Sequence, residues 1–92
     1  MQFSVKDNNF YLDGHRIFLN SGEIHYFRIR RDLWDRHLDE AVSAGLKAVS
    51  TYVPWAWHEE EEGVFDFDGN SCPEKDLNGW LRKCKEHGLM AI

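Results

Sequence analysis

The run Thr51-Tyr52-Val53-Pro54-Trp55-Ala56-Trp57-His58-Glu59 places aromatic, imidazole and carboxylate groups directly after a short β-branched stretch. It reads as a strand opening into a polar, aromatic-lined loop, and in parallel α/β architectures the loops at the carboxyl ends of strands carry the chemistry. Aromatic rings beside carboxylates suit sugars, whose C–H faces stack on rings while their hydroxyls need hydrogen-bond partners. Tyr52, Trp55 and Trp57 supply rings; His58 and Glu59 supply polar groups. His25, Tyr26 and Arg28 end an upstream strand and face the same rim. There they either support catalytic carboxylates, which an arginine can hold in a bidentate fork, or serve as an ion pair and packing.

Positioning these groups takes strands and helices in alternation. Phe3 to Val5, Phe10 to Leu12 and Ile17 to Leu19 are short apolar strand candidates, and Asp13-Gly14 is a hairpin turn because both residues tolerate positive φ. Gly22 to Phe27 reads as a further strand. From Asp32 to Ala44 the apolar positions Leu33, Trp34, Leu38, Ala41 and Val42 recur near helical spacing, and Gly45 supplies a left-handed stop. Lys47 to Val53 is a strand, Pro54 opens a long loop, and Glu74 to His87 is a helix with Leu77, Trp80, Leu81 and Cys84 on one face. Pro73 suits the start of that helix and Gly88 its end. The order strand, helix, strand, helix, strand predicts parallel strands joined by right-handed crossovers.

Four blocks in this order and spacing carry a resemblance: Ser21-Gly22-Glu23-Ile24-His25-Tyr26-Phe27-Arg28, Ala44-Gly45-Leu46, the Thr51 to Glu59 run, and Gly63-Val64-Phe65-Asp66-Phe67. Together they resemble the amino-terminal part of the family 35 glycoside hydrolases, the β-galactosidase-type enzymes, over roughly Phe10 to Ile92. The resemblance implies an α/β fold, the N-terminal part of a (β/α)8 TIM barrel preceded by a short β-hairpin. The hairpin would occupy residues 1–19, and the first two βα units with the start of a third strand residues 20–92. It also implies an activity, hydrolysis of terminal non-reducing β-galactosyl residues by a retaining two-glutamate mechanism. A barrel needs about 250 residues and this chain has 92. Leu89 to Ile92 reads as a strand just beginning, so the chain is expected to be part of a longer enzyme and inactive alone.

Retaining hydrolysis needs two carboxyl groups about 5 to 5.5 Å apart, one as acid/base and one as nucleophile. In the family the first follows an Asn at the end of the fourth strand and the second ends the seventh. Both positions lie beyond Ile92, so no catalytic residue is expected here. Glu60, Glu61 and Glu62 are adjacent like charges and read as a solvated loop. Glu59 belongs to the family's His-Glu pair, kept as His58-Glu59, and is expected to orient the loop by hydrogen bonds. By the same resemblance Tyr52 lies at the floor of the sugar pocket and donates its hydroxyl to the terminal galactose, the alternative being a core tyrosine. Arg30 stands where the family commonly has proline, and Ala56 where it commonly has asparagine. These departures leave galactosides and a related β-amino sugar both open.

Composition bounds the rest. With 42% hydrophobic residues, 14% aromatic residues and a net charge of -5, the chain is that of an ordered globular surface rather than a disordered one. The acidic balance argues against nucleic acid and anionic membrane as partners, and no apolar stretch approaches the ~20 residues of a membrane span. The start carries no charged and apolar leader pattern, which makes a cytoplasmic location the expectation. Cys72 and Cys84 lack CxxC spacing and the five histidines lack metal-ligand spacing, so no metal and no cofactor are expected. Cys84 reads as a small buried residue. The expected partner is a β-galactoside or related oligosaccharide, with exposed strand edges favouring a homo-oligomer. A carbohydrate-binding module using Tyr52, Trp55 and Trp57, or a purely structural fragment, are the alternatives.

Overall fold

The computed structural model describes residues 2–92; Met1, the first residue of the expected hairpin segment, lies outside the described residues. Strands β1 (Phe3–Lys6), β2 (Asn9–Leu12) and β3 (His15–Ile17) form an antiparallel sheet in that order. Lys6 pairs with Asn9 and Leu12 with His15, so both connections are two-residue turns. Their central residues, Asp7-Asn8 and Asp13-Gly14, all have positive φ, the conformation whose twist matches that of paired strands. The Asp13-Gly14 turn is the one expected. The third strand begins two residues earlier than the apolar run Ile17 to Leu19 suggested, because turn length sets the register.

The second sheet is parallel: β4 (Ser21–Glu23), β5 (Ala48–Ser50) and β6 (Met90–Ala91), ordered as in the chain. Helix α1 (Trp34–Ser43) lies in the first crossover, and α2 (Trp55–His58) and α3 (Leu77–Glu86) in the second. The fold is therefore mixed α/β, with the expected alternation of elements. Both long helices end in the same way. Gly45 and Gly88 take positive φ, and the next amide reaches back five residues into the last turn, Leu46 to the Ala41 carbonyl and Leu89 to the Cys84 carbonyl. That Schellman geometry turns each helix straight into its strand.

Several boundaries differ from those expected, each for a packing reason. The first parallel strand stops at Glu23 instead of Phe27. Tyr26 to Arg28 form a 3-10 turn that drops the Tyr26 ring into the core, fully buried, which an alternating strand would not do. The next strand ends at Ser50 instead of Val53, and Pro54 to His58 turn helically rather than as open loop. Pro73–Lys75 is a separate 3-10 turn. The true start of α3 is Asp76, whose Oδ1 accepts the Gly79 amide at 2.9 Å, a better cap than proline because it satisfies an otherwise unpaired helix amide.

The core joins Tyr26, Trp34, Leu38, Ala41, Val49, Trp80, Cys84 and Leu89. Trp34 and Trp80 meet edge to face with centroids 5.4 Å apart, the geometry favoured by the ring quadrupoles. The Trp34 indole N–H is shared between the carbonyls of Tyr26 and Ile29, at 3.2 and 3.1 Å, which ties the chain turn after β4 to α1. Burial pushes the Cys84 thiol up to about 11, and both cysteines are free. The radius of gyration, 14.8 Å, exceeds the about 12 Å of a compact chain of this length. The antiparallel sheet makes most of its contacts within itself. An open apolar groove of about 590 Å³ separates Phe3 and Leu19 from Leu81, Leu89, Met90 and Ile92. Trp80→Ala is expected to destabilise by about 3 to 5 kcal/mol in urea unfolding, whereas Phe18→Ala, at a side chain 83% exposed, should change stability by under about 0.5 kcal/mol.

Candidate functional site

Parallel register brings the first two site residues together. Glu23 pairs with Ser50, so residues two positions further along each chain, His25 and Tyr52, leave the sheet side by side at its carboxyl end. Their rings stack with centroids 5.1 Å apart and 14° between planes. His25 Nδ1 lies 3.4 Å from Thr51 Oγ1, and its Nε2 lies 3.6 Å from a Glu23 carboxylate oxygen. Tyr52 is 69% exposed, and none of the hydrogen bonds among the described residues uses its hydroxyl. It is thus a phenol on an open rim, supported from behind by an imidazole, and not a core tyrosine in this chain.

Tyr26 and His58 form a different unit. The Tyr26 hydroxyl is 2.6 Å from His58 Nε2, and His58 Nδ1 is 2.6 Å from the Asp66 carbonyl oxygen. A carbonyl only accepts, so the proton is assigned to Nδ1 and Nε2 accepts from the phenol. Both side chains are buried, and burial pushes the Tyr26 phenol up to about 12. The Asp66 amide returns a bond to the His58 carbonyl at 2.9 Å, and Phe67 stacks on the imidazole at 4.7 Å. His58 thereby anchors the long connection after α2 to the turn after β4. Tyr26 and His58 lie beneath the rim, apart from the Tyr52 surface.

The loop is held by further bonds made by its acidic residues. Glu59 Oε1 accepts the Trp55 indole N–H at 2.7 Å and Oε2 the Gly63 amide at 2.8 Å, the orienting role expected of it. Trp55 remains 62% exposed, with the Phe65 ring against it at 5.5 Å. Glu60, expected to be merely solvated, pairs with the buried Lys75 ammonium at 3.0 Å. That ammonium also lies 5.0 Å from the Trp57 ring centroid, so the positive charge covers a face that a ligand would otherwise need. The Asp66 carboxylate accepts from the amides of Asp68, Gly69, Asn70 and Ser71 and from the Ser71 hydroxyl. These bonds, those of Ser71 foremost, hold it well below the ordinary carboxylate value. Beside it is a cavity of about 350 Å³ bordered by His58, Glu60, Phe65, Ser71 and Lys75.

Arg28 is exposed, with its guanidinium 5.4 Å from the neighbouring Phe27 ring and no ion pair among the described residues. The arginine that pairs with a buried carboxylate is Arg31, which donates one bond to Asp76 Oδ2 at 2.7 Å, while the bidentate fork is that of exposed Arg30 on Asp32. Burial pushes the Asp76 carboxyl up, but the Arg31 and Gly79 bonds outweigh it and the net displacement is downward. Asp66, Lys75, Asp76 and Arg31 were not singled out from the sequence. Asp66 had a readable signal, because aspartate followed by Gly69, Asn70 and Ser71 is turn composition. Lys75 had none; its partners come from a different turn of the loop.

The amino-acid sequence that builds this rim is similar to known sequences. The family profile described as "Glycosyl hydrolases family 35" matches residues 9–92. The chain belongs to glycosyl hydrolase family 35. It is 48% identical over 83 residues to a protein of Ignavibacterium album named beta-1,2-glucosyltransferase, covering 90% of this chain and 12% of that protein. It is 44% identical over 81 residues to an exo-beta-D-glucosaminidase of Pyrococcus horikoshii, covering 88% and 10%. It is 41% identical over 85 residues to a beta-galactosidase of Felis catus, covering 92% and 12%. The chain thus spans about one eighth of the length of these relatives.

For this family 35 chain, the geometry separates an exposed pair, Tyr52 and Trp55 with half-buried His25 behind Tyr52, from a frame of the buried Tyr26, His58 and Asp76 with half-buried Asp66. Carboxylates of the frame are engaged with partners rather than free to exchange protons. Asp66 and Asp76 both have folded values lowered from the ordinary 3.8. Their stabilisation is accordingly full above that value and is lost as pH falls below it. Limited proteolysis across residues 59–72 should therefore quicken sharply on acidification below about pH 4. Asp66→Ala should be cut rapidly at neutral pH already, with a smaller further response to acid.

Proposed function

We propose that this chain forms the first two βα units of a family 35 β-glycosidase barrel, with β4, β5 and β6 as its first three strands. The antiparallel sheet packs at the amino-terminal end, and the apolar groove beside β6 receives the segments that follow. The protein removes terminal non-reducing β-galactosyl residues with retention, using two glutamates carried outside this chain. One observation supports the site assignment most directly: Tyr52 follows β5 at the carboxyl end of the sheet with its ring stacked on His25 and its hydroxyl without a hydrogen bond among the described residues. A phenol held in this way can donate to a sugar hydroxyl without losing much rotamer freedom. Trp55, its N–H already bound by Glu59, offers only its ring and suits the C–H face of a pyranose. Arg28, exposed and without an ion pair among the described residues, is a candidate further donor to the same sugar, while the Trp57 ring is masked by Lys75.

A β-amino sugar is the second reading, favoured by the 44% identity to a protein named exo-beta-D-glucosaminidase. Rates on aryl β-galactoside and aryl β-glucosaminide, measured on a complete polypeptide containing this stretch, decide between them. The 92-residue chain by itself is expected to hydrolyse neither. Turnover above a no-enzyme control that survives repurification and disappears in Glu59→Gln would overturn the assignment of the glutamates elsewhere.

In the complete enzyme, Tyr52→Phe deletes one neutral hydrogen bond and keeps the ring. The expected cost is about 0.5 to 1.5 kcal/mol, or up to about 3 if the partner is left buried and unpaired. At about 1.4 kcal/mol per tenfold, kcat/KM should fall several-fold to about a hundredfold. The thermal midpoint should barely move, because the exposed ring and its stack on His25 survive. Unchanged kinetics with a lowered midpoint would instead assign Tyr52 to packing.

A further inference from the structure

Outside the buried frame, two rings meet at the surface. Trp55 and Phe65 pack edge to face with centroids 5.5 Å apart and 73° between planes, yet they are 62% and 49% exposed and neither belongs to the core. Each is held from a different side. Phe65 lies nearly parallel to Phe67, at 6.1 Å and 12°, and Phe67 stacks in turn on the buried His58 at 4.7 Å. Trp55 is held by Glu59, whose Oε1 accepts the indole N–H while its Oε2 accepts the Gly63 amide. One carboxylate thus ties α2 to the turn at residues 61–64, closed by the Val64 amide on the Glu61 carbonyl, which leads directly into Phe65. Burial of apolar area would draw both rings inward; these contacts hold them outward, as a fixed corner of two aromatic planes.

We propose that Trp55 and Phe65 bind the leaving-group side of the substrate, the pyranose to which the terminal sugar is attached, with Glu59 as the positioning residue that sets the corner. This rests on the reading of Tyr52 as the contact to the terminal sugar. The two surfaces differ in what they can recognise. Tyr52 carries a hydroxyl that makes no hydrogen bond among the described residues, whereas the Trp55 N–H is engaged by Glu59 and Phe65 has no polar group to give. Strong discrimination between hydroxyl patterns needs hydrogen bonds to those hydroxyls, and an apolar surface does not supply it. The corner therefore suits the position where a pyranose is held by its C–H face and edge and its hydroxyl pattern matters less. Beside Phe65, the cavity of about 350 Å³ carries the Asn70 amide for a hydroxyl of that sugar. Glu61 on the same border, with no ion pair among the described residues, disfavours an acidic sugar, so the class is a neutral pyranose. A rigid, already ordered corner loses little entropy on binding it.

A complete polypeptide containing this stretch is assayed on two substrates that share whichever terminal sugar it cleaves, a neutral disaccharide and the methyl glycoside. Phe65→Ala should lower kcat/KM for the disaccharide, relative to the methyl glycoside, by about three- to tenfold. Phe65→Tyr keeps the ring and should restore the ratio. Glu59→Ala, which frees the Trp55 ring, should move the ratio the same way, with Glu59→Gln in between because the amide oxygen still accepts one of the two bonds. Tyr52→Phe should slow both substrates alike and leave the ratio where it was, so the terminal-sugar reading and the corner are judged on different variants. A Phe65→Ala protein that loses equally on both substrates, together with a lowered thermal midpoint, would assign the corner to packing. An unchanged ratio in Phe65→Ala at a native midpoint would equally overturn the proposal.

Discussion

The bond between the Tyr26 hydroxyl and the His58 imidazole, at 2.6 Å, joins the two halves of this chain that present the rim. Tyr26 belongs to the turn after β4, and His58 ends the helical turn after β5, 32 residues later. Through its other nitrogen His58 holds Asp66, and Asp66 in turn gathers the amides of residues 68 to 71. A long connection without strands of its own would ordinarily be mobile. Here it is built as a sequence of side-chain to backbone bonds that starts from one buried imidazole. Such networks are strong only when every member is satisfied, because an unpaired polar group in the same place is costly.

The frame also explains why the rim can be open. Trp34 and Trp80 pack against each other and against Tyr26 beneath the turns, so the aromatic residues that carry most of the buried area are not the ones offered to solvent. Tyr52 and Trp55 keep much of their surface exposed, the first held by His25 and the second by Glu59 and Phe65. This division suits recognition: a rigid exposed ring loses little entropy on binding. It also restricts which residues can act, since Lys75 over the Trp57 ring removes one of the three aromatic faces that the loop's composition offers.

Family membership and chain geometry fit together at the level of strand order. Three parallel strands in chain order, with helices between them, are the repeating arrangement of a (β/α)8 barrel, and the relatives that match the chain are several times longer. They carry different names, a glucosyltransferase, a glucosaminidase and a galactosidase, at similar identity.

Much of this was legible in the residues themselves. Alternation and helical spacing located every strand and both long helices to within a few residues, since burying an apolar face demands those periods, and glycine marked both helix ends because only it enters the left-handed region without strain. The Asp-Gly turn and the block pattern around Tyr52 were equally plain. The strand ends were not, because Tyr26 leaves its strand for a core position that exists only once α1 and α3 have packed. Nor could spacing reveal that His58 faces Tyr26, that Glu60 and Trp57 share Lys75, or that His87 reaches Asp35. Those partners are separated by 15 to 52 residues along the chain, and a hydrogen bond depends on distance and direction in space, which only the packed helices and turns decide.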